Sequence, residues 1–333
     1  MPSATPRYTS ARSVAVVRAL AGIGDMLCAV PALRSLRAGL PETHVALVGL
    51  PWAREMVDRF PRYLDELVPF PGFPGIPEVP PAVEALAPFL AEVQARHFDL
   101  ALQMHGNGSV TNPFTVLLGA SENAGSYLPG AYRPSRAFIP YPDGLHELRR
   151  LTSLTRFLGM PDTGEDLEWP VTAEDRAALA LSTGDVLGGA YAIVHAGASH
   201  GSRRWPAERF ARAADRLAAE GLQVVLTGVR GDEPVVSAVA SAMRARPLDL
   251  VGRTTLGALG ALMDAARLVL CNDTGVSHIA AALRVPSVVV FSGSDPARWA
   301  PLDRELHLAV QGSTSNIVRA VEHQLGRRDE RVA

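Results

Sequence analysis

Short apolar runs recur along this chain, each closing on a turn rich in glycine, aspartate or histidine and most of them feeding a helical pattern. That rhythm narrows the fold more than any other feature. The first run, residues 13–20, leads through Ala21-Gly22-Ile23-Gly24-Asp25 into helical spacing over 26–39, with apolar residues at Leu27, Val30, Leu33 and Leu36. Residues 44–50 form the next predicted strand, followed by a helix over 53–60 and a short strand at 67–68. The Pro/Gly-rich stretch 69–81 reads as a loop over the surface. A helix over 82–96 enters strand 98–104, which closes on His105-Gly106-Asn107-Gly108-Ser109. Strand and helix alternating in this way give a parallel sheet covered on both faces, an α/β fold.

The rhythm starts again after residues 161–185. Predicted strands at 190–195 and 223–227 flank a helix over 206–220, and Gly221 supplies the residue type favoured just past a helix end. A helix over 235–244, a strand-like piece at 249–251 and a helix over 256–266 follow. The apolar run 266–270, a small alanine-rich helix and strand 287–291 close the second sheet, and 315–325 reads as a last helix. A chain of 333 residues is long for one core, so two domains are expected, 1–170 and 171–333.

Composition removes several function classes. With 47% hydrophobic and 20% charged residues the chain is globular rather than disordered. Lysine plus arginine number 32 against 34 acidic residues, a net charge of −2. No general basic field therefore points to nucleic acid, and any anion has to be captured locally. Cys28 and Cys271 are far apart and set out no metal-ligand spacing, as expected of buried thiols in a reducing compartment. Residues 1–12 are polar and lack a signal-peptide core, and no apolar run approaches the roughly 18 residues of a membrane span. A cytoplasmic protein is expected, with peripheral contact at the inner face of the plasma membrane left open.

The strongest chemical signal is Asp273-Thr274-Gly275-Val276-Ser277-His278, which follows the apolar run 266–270 and opens a helix. A strand end feeding a helix amino end gathers unpaired N–H groups and positive partial charge, which suits phosphate. Gly275 permits close approach, Thr274 and Ser277 add hydroxyls, and Asp273 and His278 can meet polar ligand groups. An ordinary helix cap followed by a packed histidine has the same spacing. Asp25 reads in two ways as well, as a reactive carboxylate or as a helix-start carboxylate complementing the dipole. A dinucleotide fingerprint fails there, because Leu27 stands where the third glycine belongs. Arg203 and Arg204, in the loop after strand 190–195, supply fixed charge for a diphosphate or form a solvated pair before a helix.

Three of these blocks resemble family-9 glycosyltransferases, the ADP-heptose-using heptosyltransferases and related enzymes. They are the turn around Gly24-Asp25 continued by Pro31-Ala32-Leu33, the run Arg204-Trp205-Pro206-Ala207-Glu208-Arg209-Phe210, and Asp273–His278 with Pro286–Gly293. The resemblance covers roughly 14–301. It implies a GT-B architecture, two Rossmann-like parallel-sheet domains facing a central cleft, acceptor-side first and donor-binding second. The last helix, about 315–325, would be able to pack back toward the first domain. It implies that Asp25 is the general base and that Asp273, Thr274, Gly275, Ser277 and His278 hold the donor's diphosphate with Arg203 and Arg204. Where the family usually has lysine this chain has Arg203, which keeps the charge but not the geometry. Glu233, in a matching glycine-and-acid loop, is a candidate for the nucleotide's ribose or base. Arg18, Gly24, His105 and Asn107 are candidates on the acceptor side. The reaction implied is inverting transfer of a heptose-like sugar from a nucleotide-diphosphate donor to a glycan or lipopolysaccharide-core acceptor. It needs no cofactor and no metal, and no Asp-x-Asp site occurs in the sequence. A nucleotide-sugar epimerase and a non-catalytic nucleotide-sugar-binding relative share the same fold.

Overall fold

The computed structural model describes residues 8 and 10–327. Most of the polar leader at 1–12 therefore lies outside the described residues. The chain divides into two compact units between Asp166 and Leu167. Each is an α/β unit built on a wholly parallel six-stranded sheet.

The first unit runs β1 (Ser13–Val17), α1 (Ile23–Leu27), α2 (Val30–Gly39), β2 (His44–Gly49), α3 (Arg54–Arg59), β3 (Glu66–Pro69) and α4 (Val83–Ala95). It continues with β4 (Leu100–Gln103), α5 (Thr111–Leu117), β5 (Glu122–Tyr127), β6 (Phe138–Pro140) and α6 (Glu147–Phe157). Its strand order is β3-β2-β1-β4-β5-β6. The central strands are buried along almost their whole length, which is why they read as apolar runs rather than alternating ones.

Two expectations change here. The single helix expected over 26–39 is two, broken at Cys28 and Ala29. Pro31 has no N–H to give Leu27, so it suits the first turn of a new helix rather than the middle of an old one. The stretch 69–81 is also more than a surface loop. Phe70 and Ile76 are buried in the core, Phe73 bridges to Ile76, and the Phe70 ring meets Phe114 edge-on at 5.1 Å.

The second unit runs α7 (Ala173–Thr183), β7 (Tyr191–His195), α8 (Ala207–Ala219), β8 (Gln223–Thr227), α9 (Glu233–Ala242), β9 (Leu248–Asp249) and α10 (Leu256–Asp264). Then come β10 (Leu268–Asn272), α11 (Gly275–Ala282), β11 (Ser287–Val290), α12 (Pro296–Trp299), β12 (His307–Val310) and α13 (Thr314–Gly326). α7 starts on a capping box in which Thr172 and Asp175 satisfy each other's amides at 3.1 and 3.0 Å. α8 buries Phe210, Ala211, Ala214 and Leu217 against the sheet and ends before Gly221, whose φ of +79° is left-handed. The apolar face of α13, with Ile317 and Val321, is taken up by this unit's own core.

The second sheet has the order β12-β11-β10-β7-β8-β9. Read from the other edge, it repeats the first. In both sheets the direction of strand addition reverses between the first strand and the fourth, β1 beside β4 and β7 beside β10. Ligands of open α/β sheets bind beyond the carboxyl ends at such a reversal. All three motif blocks fall at or next to these two places.

Candidate active site

In the first unit the turn after β1 is held from within. Arg18, only 1% exposed, continues the sheet by donating its amide to the Val48 carbonyl. Its guanidinium grips the Asp25 carbonyl, Nε at 3.1 Å and Nη2 at 2.5 Å, and Nη1 donates to the Met104 carbonyl. Nη2 also lies 3.6 Å from Glu147 Oε1. Arg18 is thus a strut joining the turn, the end of β4 and α6, and its charge is spent on these partners. Asp25 sits in the first turn of α1, with its carboxylate folded back over Gly22. Any Cβ at Gly22 would run into that carboxylate, so the glycine makes room for it. Gly24 is one of the buried residues of the same turn.

His105 closes β4 and is buried. Its Nδ1 accepts the Ala19 amide at 3.1 Å, which leaves the ring proton on Nε2, 3.2 Å from Glu78 Oε1. Burial, helped by the Arg18 charge, pushes its pKa down to about 4, so the ring is neutral at pH 7. Asn107 is used locally: its Oδ1 accepts the Ser109 amide at 3.0 Å in a turn where Gly106 and Gly108 take positive φ. Glu78 carried no signal in the sequence, and it arrives here only because the stretch 69–81 packs inward.

In the second unit the ends of β7 and β10 are tied by Asn272, which is fully buried. Its Oδ1 accepts the Trp205 amide at 3.0 Å, while Nδ2 donates to the carbonyls of Ala196 at 2.8 Å and Gly197 at 3.3 Å. Only this orientation of the amide satisfies all three partners. Sequence reading passed Asn272 over because it stands one residue before the motif. Asp273, 4% exposed, accepts a hydrogen bond from the Ser294 hydroxyl. Burial raises its pKa, against the Ser294 bond and the nearby charge of Arg203.

Thr274 is the N-cap of α11, and its buried Oγ1 has no hydrogen-bond partner among the described residues. A buried hydroxyl left unpaired at a helix amino end is uncommon and costly. The remaining motif residues divide. Gly275 opens α11, while Ser277 spends its hydroxyl on the Thr274 carbonyl at 2.8 Å. His278 lies inside α11, buried, with its ring edge-on to Trp299 at 6.5 Å.

The two arginines also differ. Arg204 donates to the Ala198 carbonyl through Nε at 3.1 Å and Nη2 at 3.0 Å, and lies 3.6 Å from Asp232. The Arg203 guanidinium makes no hydrogen bond or ion pair among the described residues, and its charge reaches Asp273. In the loop after β8, Asp232 is buried and takes the Val229 amide at 3.1 Å, while Glu233 begins α9 exposed to solvent. Gly197 has no room for a side chain, because a Cβ there would strike the Asp232 carboxylate. Among the described residues no cluster of three or more His, Cys, Asp or Glu is arranged to hold a metal ion.

The sequence profile of glycosyltransferase family 9 (heptosyltransferase) matches residues 91–321. The chain belongs to this family. The matched span takes in the arginine loop and the α11 motif, while Asp25 precedes it. Lipopolysaccharide heptosyltransferase 3 of Escherichia coli K12 is 26% identical to this family-9 glycosyltransferase over 84% of the chain and 82% of the relative. Among solved structures, a family-9 glycosyl transferase from Veillonella parvula superposes with a TM-score of 0.78 at 21% identity, covering 94% of this chain and 97% of the other. The ADP-heptose lipopolysaccharide heptosyltransferase II of E. coli gives 0.75 at 18%, covering 94% and 98%. These structural likenesses and the two parallel sheets establish the GT-B fold of this family-9 enzyme.

Proposed function

We propose that this enzyme is an inverting, metal-independent heptosyltransferase that takes heptose from ADP-heptose and delivers it to a lipopolysaccharide-core acceptor. One observation carries the donor side: the amino end of α11, with the partnerless buried hydroxyl of Thr274 and the uncommitted charge of Arg203 acting on Asp273 beside it. A diphosphate supplies the acceptor oxygens that this end lacks and the negative charge that Arg203 and the helix dipole favour. The choice of ADP-heptose leans on the relatives, one of which carries that nucleotide sugar in its name.

Asp25 takes the proton of the acceptor hydroxyl as that oxygen attacks the anomeric carbon and the bond to the diphosphate breaks. Arg18 fixes the backbone from which the carboxylate projects, through its bonds to the Asp25 carbonyl. Arg203, Thr274 and the α11 amides hold the charge of the departing ADP. Fixed donors of this kind stabilise a leaving group electrostatically at no cost of reorganisation. The enzyme is proposed to work in the cytoplasm; among the described residues no helix is long and apolar enough to cross a membrane.

A thermal-shift screen against ADP-, GDP-, UDP- and dTDP-sugars tests the reading. A ligand at 100 times its dissociation constant stabilises the native state by about 2.7 kcal/mol. The expected result is a shift with ADP-heptose and ADP that the other nucleotides do not give. A preference for UDP- or dTDP-sugars overturns the donor, and consumption of the donor without any acceptor overturns the transfer.

A further inference from the structure

Glu78 has no place in the chemistry above, yet it stands at the end of β1 and β4 where Asp25 does. It reaches this position from the inward-packed stretch 69–81, which Phe70, Phe73 and Ile76 anchor against the core. One carboxylate oxygen, Oε1, faces the Nε2–H of His105 at 3.2 Å. The other, Oε2, is buried and has no hydrogen-bond partner among the described residues. Among the described residues no arginine forms an ion pair with it. His105 is neutral, because its Nδ1 already accepts the Ala19 amide, and Arg18 is committed to Asp25, Met104 and Glu147. Burial raises the Glu78 pKa, against a hydrogen bond from its own backbone amide, and the negative charge of Asp25 adds to the rise, so the two carboxylates sense each other. An unpaired buried carboxylate oxygen is costly to keep.

From these contacts we infer that Glu78 is a second carboxylate of the acceptor site, its Oε2 accepting a hydrogen bond from a hydroxyl adjacent to the one that Asp25 deprotonates. The inference rests on the reading of Asp25 as the base. It also narrows the acceptor. Two carboxylates within electrostatic reach of each other favour a hydroxyl-donating, uncharged patch of sugar and repel a phosphate or carboxylate at that position. Within this arrangement His105 is a positioning residue. Its Nδ1 bond to the Ala19 amide aims the Nε2 proton at Oε1 and leaves Oε2 for the substrate.

The test uses the full chain, saturating ADP-heptose, and as acceptor probe a lipopolysaccharide-core oligosaccharide lacking its terminal heptose. Glu78→Gln keeps an oxygen for His105 and removes the charge. The acceptor KM should rise roughly tenfold or more, the effect of losing a charge-assisted hydrogen bond. The turnover number should stay within a few-fold, and ADP affinity by calorimetry should be unchanged. The melting temperature should hold or rise, since a buried repulsion with Asp25 is relieved. Asp25→Asn should show the opposite split, with turnover lost and the acceptor KM kept. A Glu78→Gln enzyme with the wild-type acceptor KM overturns the inference while leaving the base reading intact. So does a marked fall in its melting temperature, which would make the carboxylate a strut. A wild type that transfers nothing to this probe overturns the parent reading, and the inference with it.

Discussion

Asn272→Ala removes the tie between β7, β10 and the arginine loop, and its cost follows from the three bonds it breaks. The Trp205 amide and the Ala196 carbonyl belong to residues only 4% and 1% exposed, so water does not readily replace the lost partner. Leaving a buried backbone group unpaired costs about 1–3 kcal/mol, so two give about 2–6 kcal/mol. Total stability of a folded domain is about 5–15 kcal/mol, which makes this one substitution a large fraction. The functional effect follows from the same geometry, because Trp205 is two residues from Arg203 and loses its anchor. Urea denaturation gives the stability change from the midpoint and slope, and calorimetry gives ADP affinity. The expected outcome is a loss in that range together with weakened ADP binding. A change below about 1 kcal/mol with unaltered ADP affinity would show that the loop is held by other contacts and would refute the argument.

Replacing Arg203 and Arg204 together by alanine should weaken ADP binding by calorimetry with the circular dichroism spectrum unchanged, and Arg203→Ala alone should account for most of the loss, since Arg204 is tied to Ala198 and Asp232. Acid should destabilise the protein early. Burial holds His105, His195 and His307 down to about 4, below the ordinary 6.5, so the unfolded chain binds more protons between those values. Stability therefore falls as pH drops from about 6.5 towards 4, by up to roughly 3 kcal/mol per histidine. Urea curves that superpose at pH 7 and pH 5 would contradict this.

The parallel sheets were legible because buried parallel strands are continuous apolar runs, and β1, β7 and β10 carry that pattern plainly. β5 and the edge strand β6 were not, since both are short, have little apolar content and are interrupted by Gly125 and Pro140. Gly125 is there for space: a Cβ would press on Gln103 and Phe138. The motif residues were found by type, but type did not reveal what each touches. Arg18 turned inward to backbone carbonyls, Ser277 to its own helix, and His278 against Trp299. Asn272 and Glu78 were missed for a common reason. Their importance lies in long-range partners, 67 to 76 residues away for Asn272, and no local pattern marks such contacts.

The most direct measurement of the central claim is the rate of heptose transfer by Asp25→Asn at saturating ADP-heptose, read beside its affinity for ADP. Asparagine keeps the size of the side chain over Gly22 and the first turn of α1, and removes only the base. General-base catalysis is worth about 10²–10⁴-fold. The account predicts wild-type nucleotide affinity with transfer reduced at least a hundredfold, to use the lower bound of about 10². Transfer at close to the wild-type rate would contradict it, and would leave Asp25 as nothing more than the acidic residue that opens α1.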